Sequence, residues 1–348
     1  MRDERGFALL AVMLVLALLG VVVTEFAFSM RLEASMVRSY KERLLAGYLA
    51  EAAVQQAMRE VLGPGDVHAL DDNGDLVFYG AAAGVGQTQP TRLPSLSRVR
   101  VPLGAGEFSY RITDEESRIN LNTAPSERVD RLLGTLGLDK QQRDVINDSL
   151  QDWKDADSLE RPNGAESESY YLKLPLPYGS RNGQMQDLRE LLQIRGITRE
   201  VFWGADGKPG LADLTTVVGR NTVNLNTAPV PVLKALGFSD AEISDVTQTR
   251  VRNPYPSVAG RFAGRGLAVG SSTFRIEAEG LMAGESRARV VAIVQRRAAF
   301  QPGRLNRFGQ PTLLPQQGNI RPPGLPPASS SSDLGVVILS WRVGVEPS

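Results

Sequence analysis

Acidic residues carry the clearest chemistry in this chain of 348 residues. From Asp152 it reads Asp152-Trp153-Lys154-Asp155-Ala156-Asp157-Ser158-Leu159-Glu160, then Asn163-Gly164-Ala165-Glu166-Ser167-Glu168-Ser169-Tyr170-Tyr171. Asp152, Asp155, Asp157, Glu160 and Glu166, with the amide of Asn163, are hard oxygen donors of the kind that surround calcium. Their spacing departs from an EF-hand loop, and the same stretch also reads as a solvated acidic loop. Other chemistry has little to work with. The chain has no cysteine, hence no disulfide, thiolate ligand or Cys nucleophile. Its single histidine, His68, follows Gly63-Pro64-Gly65-Asp66-Val67 and reads as a solvated loop residue. A Ser-His-Asp triad would have to use it, and no nucleophile-elbow pattern accompanies it. Enzymatic activity is not expected. Lys plus Arg and Asp plus Glu each number 39, so the chain lacks the basic footprint of a dedicated nucleic-acid binder.

The elements around the acidic stretch form a helical region with an internal repeat. Ile119-Asn120-Leu121-Asn122-Thr123-Ala124-Pro125 recurs as Val223-Asn224-Leu225-Asn226-Thr227-Ala228-Pro229. In each copy Asn or Thr can cap a helix whose first turn accepts the Pro. The helices, near Val129 to Leu136 and Val232 to Leu236, end at Leu-Gly, and a second helix begins beyond. Such pairs resemble helix-hairpin-helix and SAM-like modules. A phosphate-binding hairpin uses Gly-x-Gly amides. Here the second Gly is missing, and Asp139 and Asp240 put negative charge where a phosphate would lie.

Outside this region the alternation of Phe108 to Thr113 predicts a half-buried strand, with further strands at Thr273 to Ala278, Ala288 to Gln295 and Gly335 to Val343. Residues 63–102, rich in Gly, Pro, Asp and Ser, read as loop. The Pro/Gly/Ser tract between Gln301 and Asp333 reads as a flexible linker.

The chain begins Met1-Arg2-Asp3-Glu4-Arg5-Gly6, and from Phe7 to Thr24 it carries no charge. As a helix, Phe7 to Val23 spans roughly 25 Å, near the lower limit for a bilayer core of about 30 Å. A secretory signal would place its small-residue cleavage site after the apolar core; here Gly6 precedes it, although a plain signal anchor would show the same apolar run. The helical pattern continues as Val37, Tyr40, Leu44, Tyr48, Val54, Met58 and Leu62, an amphipathic stripe expected to dock on a domain, with Gly63-Pro64-Gly65 as its stop. Glu25 and Arg31 mark the exit from the bilayer.

The Arg5-Gly6-Phe7 junction resembles a type IV prepilin leader, cut after Gly6 by a membrane peptidase that then N-methylates Phe7. With the long helix, the two Asn-Leu-Asn-Thr-Ala repeats, the Asp-Trp-x-Asp-x-Asp…Asn-Gly-Ala-Glu loop and the terminal Leu339-Ser340-Trp341-Arg342, the chain resembles the general secretion pathway protein K family, the large minor pseudopilins of type II secretion systems. The resemblance implies an α+β fold: a pilin-like long N-terminal helix packed on a small antiparallel sheet, with a large inserted all-helical domain, SAM-like or helix-hairpin-helix-like. The expected bounds are a leader at 1–6, the transmembrane and amphipathic helix at 7–62, the pilin-like domain at 63–113, 271–300 and 334–346, the insertion at 114–270, and a disordered linker at 301–333. It further implies a non-enzymatic inner-membrane subunit whose C-terminal domain is periplasmic. That subunit would sit at the tip of a pseudopilus with minor pseudopilins I and J, and H as a further partner, and support export of folded proteins. Prepilin peptidase would act on it, exoproteins could contact it, and nucleic acid is not expected. Calcium, as a structural ion, would be held by Asp152, Asp155, Asp157, Glu160, Asn163 and Glu166. The fifth residue of the mature chain would be Ala11, where most pilin-like subunits carry Glu. The alternative class is a DNA-uptake or adhesion pilin using its helical hairpins on nucleic acid.

Overall fold

The computed structural model describes residues 4–80, 89–282, 287–297 and 335–344, so the tract expected to be a linker at 301–333 lies outside the described residues. It begins with one helix, α1 (Glu4–Val61), of 58 residues. No proline interrupts it, and at ~1.5 Å per residue it is about 87 Å long. Beyond Gly63-Pro64-Gly65, β1 (Val67–Leu70) and β2 (Leu76–Gly80) form a hairpin, to which the short β3 (Thr91–Arg92) adds. This corrects the expectation of loop from 63 to 102. The Asp71-Asp72-Asn73-Gly74 run is the hairpin's turn: Gly74 sits at φ +76°, and Asp71 accepts hydrogen bonds from the amides of Asn73 and Asp75.

The main sheet follows with β4 (Val101–Leu103) and β5 (Gly106–Asp114). The chain then makes a long excursion through β6 (Ile119–Asn120), α2 (Ser126–Thr135), α3 (Lys140–Lys154), α4 (Arg199–Trp203), α5 (Leu211–Leu214), β7 (Thr215–Thr216), β8 (Val223–Asn224), α6 (Val230–Ala235), α7 (Asp240–Arg252) and β9 (Leu267–Ala268). It returns with β10 (Thr273–Met282), β11 (Arg287–Arg296) and β12 (Val336–Val343). The sheet is antiparallel in the order β12-β11-β10-β5-β4. Asp114 pairs with Phe274, so the excursion leaves and re-enters the sheet at neighbouring points.

Alternation assigns the sheet's faces. Phe108, Tyr110 and Ile112 of β5, Phe274, Ile276 and Ala278 of β10, and Val290, Ala292 and Val294 of β11 are buried under α1. The helix meets them with Ala46, Ala50, Ala53 and Ala57, all fully buried. Small side chains let the backbones approach, and Gly280 completes the fit: a Cβ there would collide with the carbonyl oxygen of Ala46 and crowd the amide of Ala50. The expected docking stripe therefore divides. Val54 and Met58 are buried and Leu62 packs at the margin, but Val37, Tyr40, Leu44 and Tyr48 are exposed. Periodicity reveals an apolar face, not what covers it; here the sheet takes the alanine row instead.

The excursion has its own core, in which α2 and α6, the first helices of the two repeats, pack together. Each ends at a glycine in the left-handed region, Gly137 at φ +84° and Gly237 at φ +82°, the C-terminal conformation that favours Gly. The expected Asn or Thr caps are corrected: Pro125 and Pro229 occupy the N-cap positions of α2 and α6, and no side chain caps either helix.

Candidate functional site

Helix α3 delivers the acidic motif. Asp139 begins it with a capping box to Gln142, and its last turn presents buried Asp152 and Trp153. Asp155 follows at the C-cap, where carboxylates meet the negative end of the helix dipole and require a cation. Arg161 provides it: Nη1 donates to Asp152 Oδ1 and to Asp155 Oδ2, each at 2.6 Å. Asp152 Oδ2 also accepts from the amides of Arg161 at 3.2 Å and Ala165 at 2.9 Å. Gly164 is dictated by this closure, since a Cβ there would collide with Asp152 Oδ2. Trp153 packs edge-on to Tyr171 at 5.3 Å and donates from Nε1 to Glu190 at 3.3 Å. The Asp-Trp…Asn-Gly-Ala-Glu motif is thus a loop that folds back over its own first carboxylate.

The six expected donors do not converge on one point. Asp152, Asp155 and Glu166 lie at the base of the loop, while Asp157, Glu160 and Asn163 are exposed along it. Asp157 accepts from the amide of Leu159, and Asn163 donates to Asp148. Glu166 is buried and uses Oε2 on the amide of Ser167 and the hydroxyl of Ser180. Among the described residues, no three His, Cys, Asp or Glu side chains group to hold a metal ion. Of the six expected donors, Asp155 Oδ1 and Glu166 Oε1 are nevertheless buried without a hydrogen-bond partner among the described residues. Buried carboxylate oxygens need a partner, and these two are the members of the expected set left open to a hard cation.

The repeats act as clamps. In both copies the first Asn accepts from the amide of the second: Asn122 N to Asn120 Oδ1, and Asn226 N to Asn224 Oδ1, both 3.0 Å. The second Asn then grips a distant backbone with both ends of its amide. Asn122 bonds the N–H and C=O of Met185, each at 2.9 Å, and Asn226 those of Tyr255 at 2.8 and 3.1 Å. Each repeat also starts a two-residue parallel pair, β6 with β7 and β8 with β9. At the would-be phosphate positions, Asp139 caps α3, while Asp240 opens α7 and pairs with Lys234 at 3.0 Å.

The junction between sheet and excursion is polar and buried. Asp114 accepts from Asn224 Nδ2, Thr227 Oγ1, Ser271 Oγ and the amide of Glu116. Burial pushes its pKa up to about 6, against the opposing pull of those side-chain hydrogen bonds. Glu115 is held below its ordinary value despite burial, because Arg118 and Arg275 flank it. His68 belongs here too, which corrects its expected place in a solvated loop: it is fully buried on β1, edge-on to Phe78 and Phe274. Its Nδ1 accepts from the amide of Ser271 at 2.7 Å, so the ring proton is assigned to Nε2, 3.2 Å from the carbonyl of Gly65. Burial, with nearby Arg296, lowers its pKa to about 4 and keeps it neutral. Only Asn224 and Thr227, in the second repeat, carried a sequence signal; the junction's other members are scattered from His68 to Arg275.

At the other end, Gly6 and Phe7 lie within α1. The helix is long and apolar enough to cross a membrane, and none of its most apolar 18-residue window is buried by the fold.

A family model described as type II secretion system (T2SS), protein K, matches residues 111–203, the stretch that holds the first repeat and the acidic loop. The type II secretion system protein K of Pseudomonas aeruginosa is 27% identical over 323 residues, covering 85% of this chain and 90% of that protein. Its counterpart in Pectobacterium carotovorum is 28% identical over 282 residues, covering 73% and 78%. Among solved structures, a chain in the crystal structure of the GspK-GspI-GspJ complex from the type 2 secretion system of enterotoxigenic Escherichia coli superposes with a TM-score of 0.58 at 16% identity. That match covers 90% of this chain and all of the other, and establishes the likeness of fold.

Proposed function

The chain belongs to the type II secretion system protein K family, and we propose that it is a non-enzymatic minor pseudopilin capping the pseudopilus, assembled with minor pseudopilins I and J and with H. The observation that carries this reading is α1: an uncovered apolar span that runs without a break into a helix seated on the sheet by Ala46, Ala50, Ala53 and Ala57. In the inner membrane that span would be a single-pass anchor, holding the sheet and the excursion in the periplasm. Prepilin peptidase would cut between Gly6 and Phe7, leaving the anchor on the mature chain. The named complex of the structural relative supports I and J as partners.

The tip assignment rests on Ala11. In a fibre of such helices a carboxylate at the fifth mature position offsets the cost of a neighbour's N-terminal ammonium in lipid. Ala11 offers no such partner, which suits a subunit with nothing ahead of it, and a bulky excursion suits a cap better than a packed shaft. Exported proteins would then meet the excursion first. Calcium would order the acidic loop, with Asp155 and Glu166 donating from its base, Asp152 behind them, and Asp157, Glu160 and Asn163 as the exposed candidates. Immunogold labelling of assembled fibres tests the reading: label confined to one end supports it, and label along the shaft defeats it.

A further inference from the structure

A groove on the excursion takes no part in the acidic loop, the clamps or the buried junction. It lies where the C-terminal turn of α2, helix α4 and the start of α6 meet, and encloses about 320 Å³. That volume is at the lower end of the range for ligand pockets. Leu136, Leu138, Val201, Pro209 and Pro231 form its apolar walls. Along its rim Ala205, Asp206, Lys208 and Pro209 are exposed, so the groove opens to solvent on that side.

The rim is preformed. Helix α4 stops at Gly204, in the left-handed region at φ +84°, and the chain turns through Asp206 and Gly207 at φ +53° and +73°. The amide of Lys208 closes the turn on the carbonyl of Ala205 at 2.9 Å. The backbone here is packed on itself: a Cβ on Gly204 would collide with the carbonyl oxygen of Lys208, and one on Gly210 with the amide of Gly204. A ligand would have little left to order on this side.

Charge selects the occupant. Two carboxylates, Glu200 and Asp206, line the groove with one ammonium, Lys208, and none of the three is in an ion pair with another described residue. A hydrogen bond from Thr198 holds the Glu200 carboxyl below its ordinary value, so it is charged at neutral pH. Thr135 and Leu136 bring the negative end of the α2 dipole to the same space, and Pro231 removes a backbone N–H from it. The groove is therefore apolar within and net negative at its edge. A lysine or arginine side chain has the matching form, with a methylene stem for the walls and a charged head that stays at the wet rim.

The apolar surface also extends past the groove. Trp203 and Val230, next in sequence to Gly204 and Pro231, are 52% and 41% exposed. A free amine would leave both in water, whereas a polypeptide would cover them, and an exposed Trp beside a pocket is the kind of residue that anchors such contacts.

We propose that this groove is the docking site for a basic side chain on an extended segment of a partner protein. Its chemistry does not depend on whether the chain sits at a tip or in a shaft, so the two readings fail separately.

Fluorescence anisotropy with the full-length chain in nonionic detergent tests it, with empty micelles as the blank. The probes are two short fluorescein-labelled peptides that differ only at a central arginine or glutamate, flanked in both by leucine. The arginine peptide should bind and the glutamate peptide should not. Glu200→Gln with Asp206→Asn should weaken the arginine peptide about fivefold, and Lys208→Gln should tighten it. Ala205→Trp, which fills the mouth, should abolish binding. All four positions are exposed, so these variants should melt with the unsubstituted chain. Spermidine, a free polyamine, should compete less well than the unlabelled arginine peptide. Equal binding of the two peptides, indifference to the paired substitution, weaker binding in Lys208→Gln, retained binding in Ala205→Trp, spermidine competing as well as the peptide, or no binding at all would each overturn the proposal.

Discussion

Asp114 and Asn224 stand 110 residues apart in sequence and 2.9 Å apart in the fold, where the carboxylate ending β5 accepts a hydrogen bond from the amide that opens the second repeat. Asn224 also donates to the carbonyl of His68 on β1. One buried amide thus ties together the hairpin, the sheet and the helical excursion.

Two titrations at this junction oppose each other. His68 is depressed to about 4, so its contribution to stability is present above its ordinary 6.5 and is lost as pH falls towards 4. Asp114 is raised from 3.8 to about 6, so its contribution is present at low pH and is lost as pH rises through 6. The two act in opposite directions over the same window. The full-length chain in detergent should therefore change less in melting temperature between pH 7 and pH 4.5 than either group alone would make it. Asp114→Asn, which leaves His68 alone, should make stability fall on acidification. An unchanged pH slope in that variant would show that Asp114 does not titrate against His68.

Gly280 should be intolerant of any side chain. Gly280→Ala drives a methyl into the backbone of α1, which has no free end to swing aside, and overpacking of this kind costs about 1–3 kcal/mol. Gly260→Ala, where an added Cβ meets nothing within 4 Å, is the control. Denaturant melts of the two should separate clearly.

The clamps predict equivalent losses. Asn122→Ala strands the N–H and C=O of Met185, and Asn226→Ala those of Tyr255. Unpaired buried groups cost about 1–3 kcal/mol each, so both variants should lower the melting temperature, and protease cleavage should rise near 185 in the first and near 255 in the second.

How far could this be read from the residues alone? Strands β5 and β10 were legible through alternating apolar residues, and β11 and β12 through their runs of Val and Ile. Helices α2 and α6 announced themselves through the repeat. His68 was not legible: Gly63, Pro64, Gly65 and Asp66 suggest loop, and its burial comes from Phe78 across an unexpected hairpin and from Ser271 and Phe274, both distant in sequence. Nor was the covered face of α1, because alanines carry little signal in a hydrophobic pattern and their importance comes from the glycine opposite. In the acidic loop the carboxylates were evident, but Arg161, their internal counterion, was not, since its partners are set by the turn through Gly164.

Calcium should sharpen the melt of the full-length chain. An ion bound only by the folded state at ~100 times its dissociation constant adds about 2.7 kcal/mol. The transition should rise with calcium, fall with chelator, and lose this response in Asp155→Ala with Asp157→Ala. Insensitivity of the unsubstituted chain would leave Arg161 as the sole neutraliser of the loop.

Mass spectrometry of membrane-extracted protein should find Phe7 at the N-terminus, with the added mass of one methyl group. Recovery of an intact Met1, or of a cut beyond Val23, would remove the pseudopilin leader from the reading.

The pairing of Asp114 with Phe274 has an evolutionary corollary. Strands β5 and β10 would form an ordinary hairpin if a short turn joined them, and everything from Glu115 to Ser272 lies between their paired ends. A gene for the smaller protein could gain or shed the whole module in a single event without shifting the register of any strand in the sheet. Lineages could then exchange the helical excursion while keeping the long helix and its sheet unchanged.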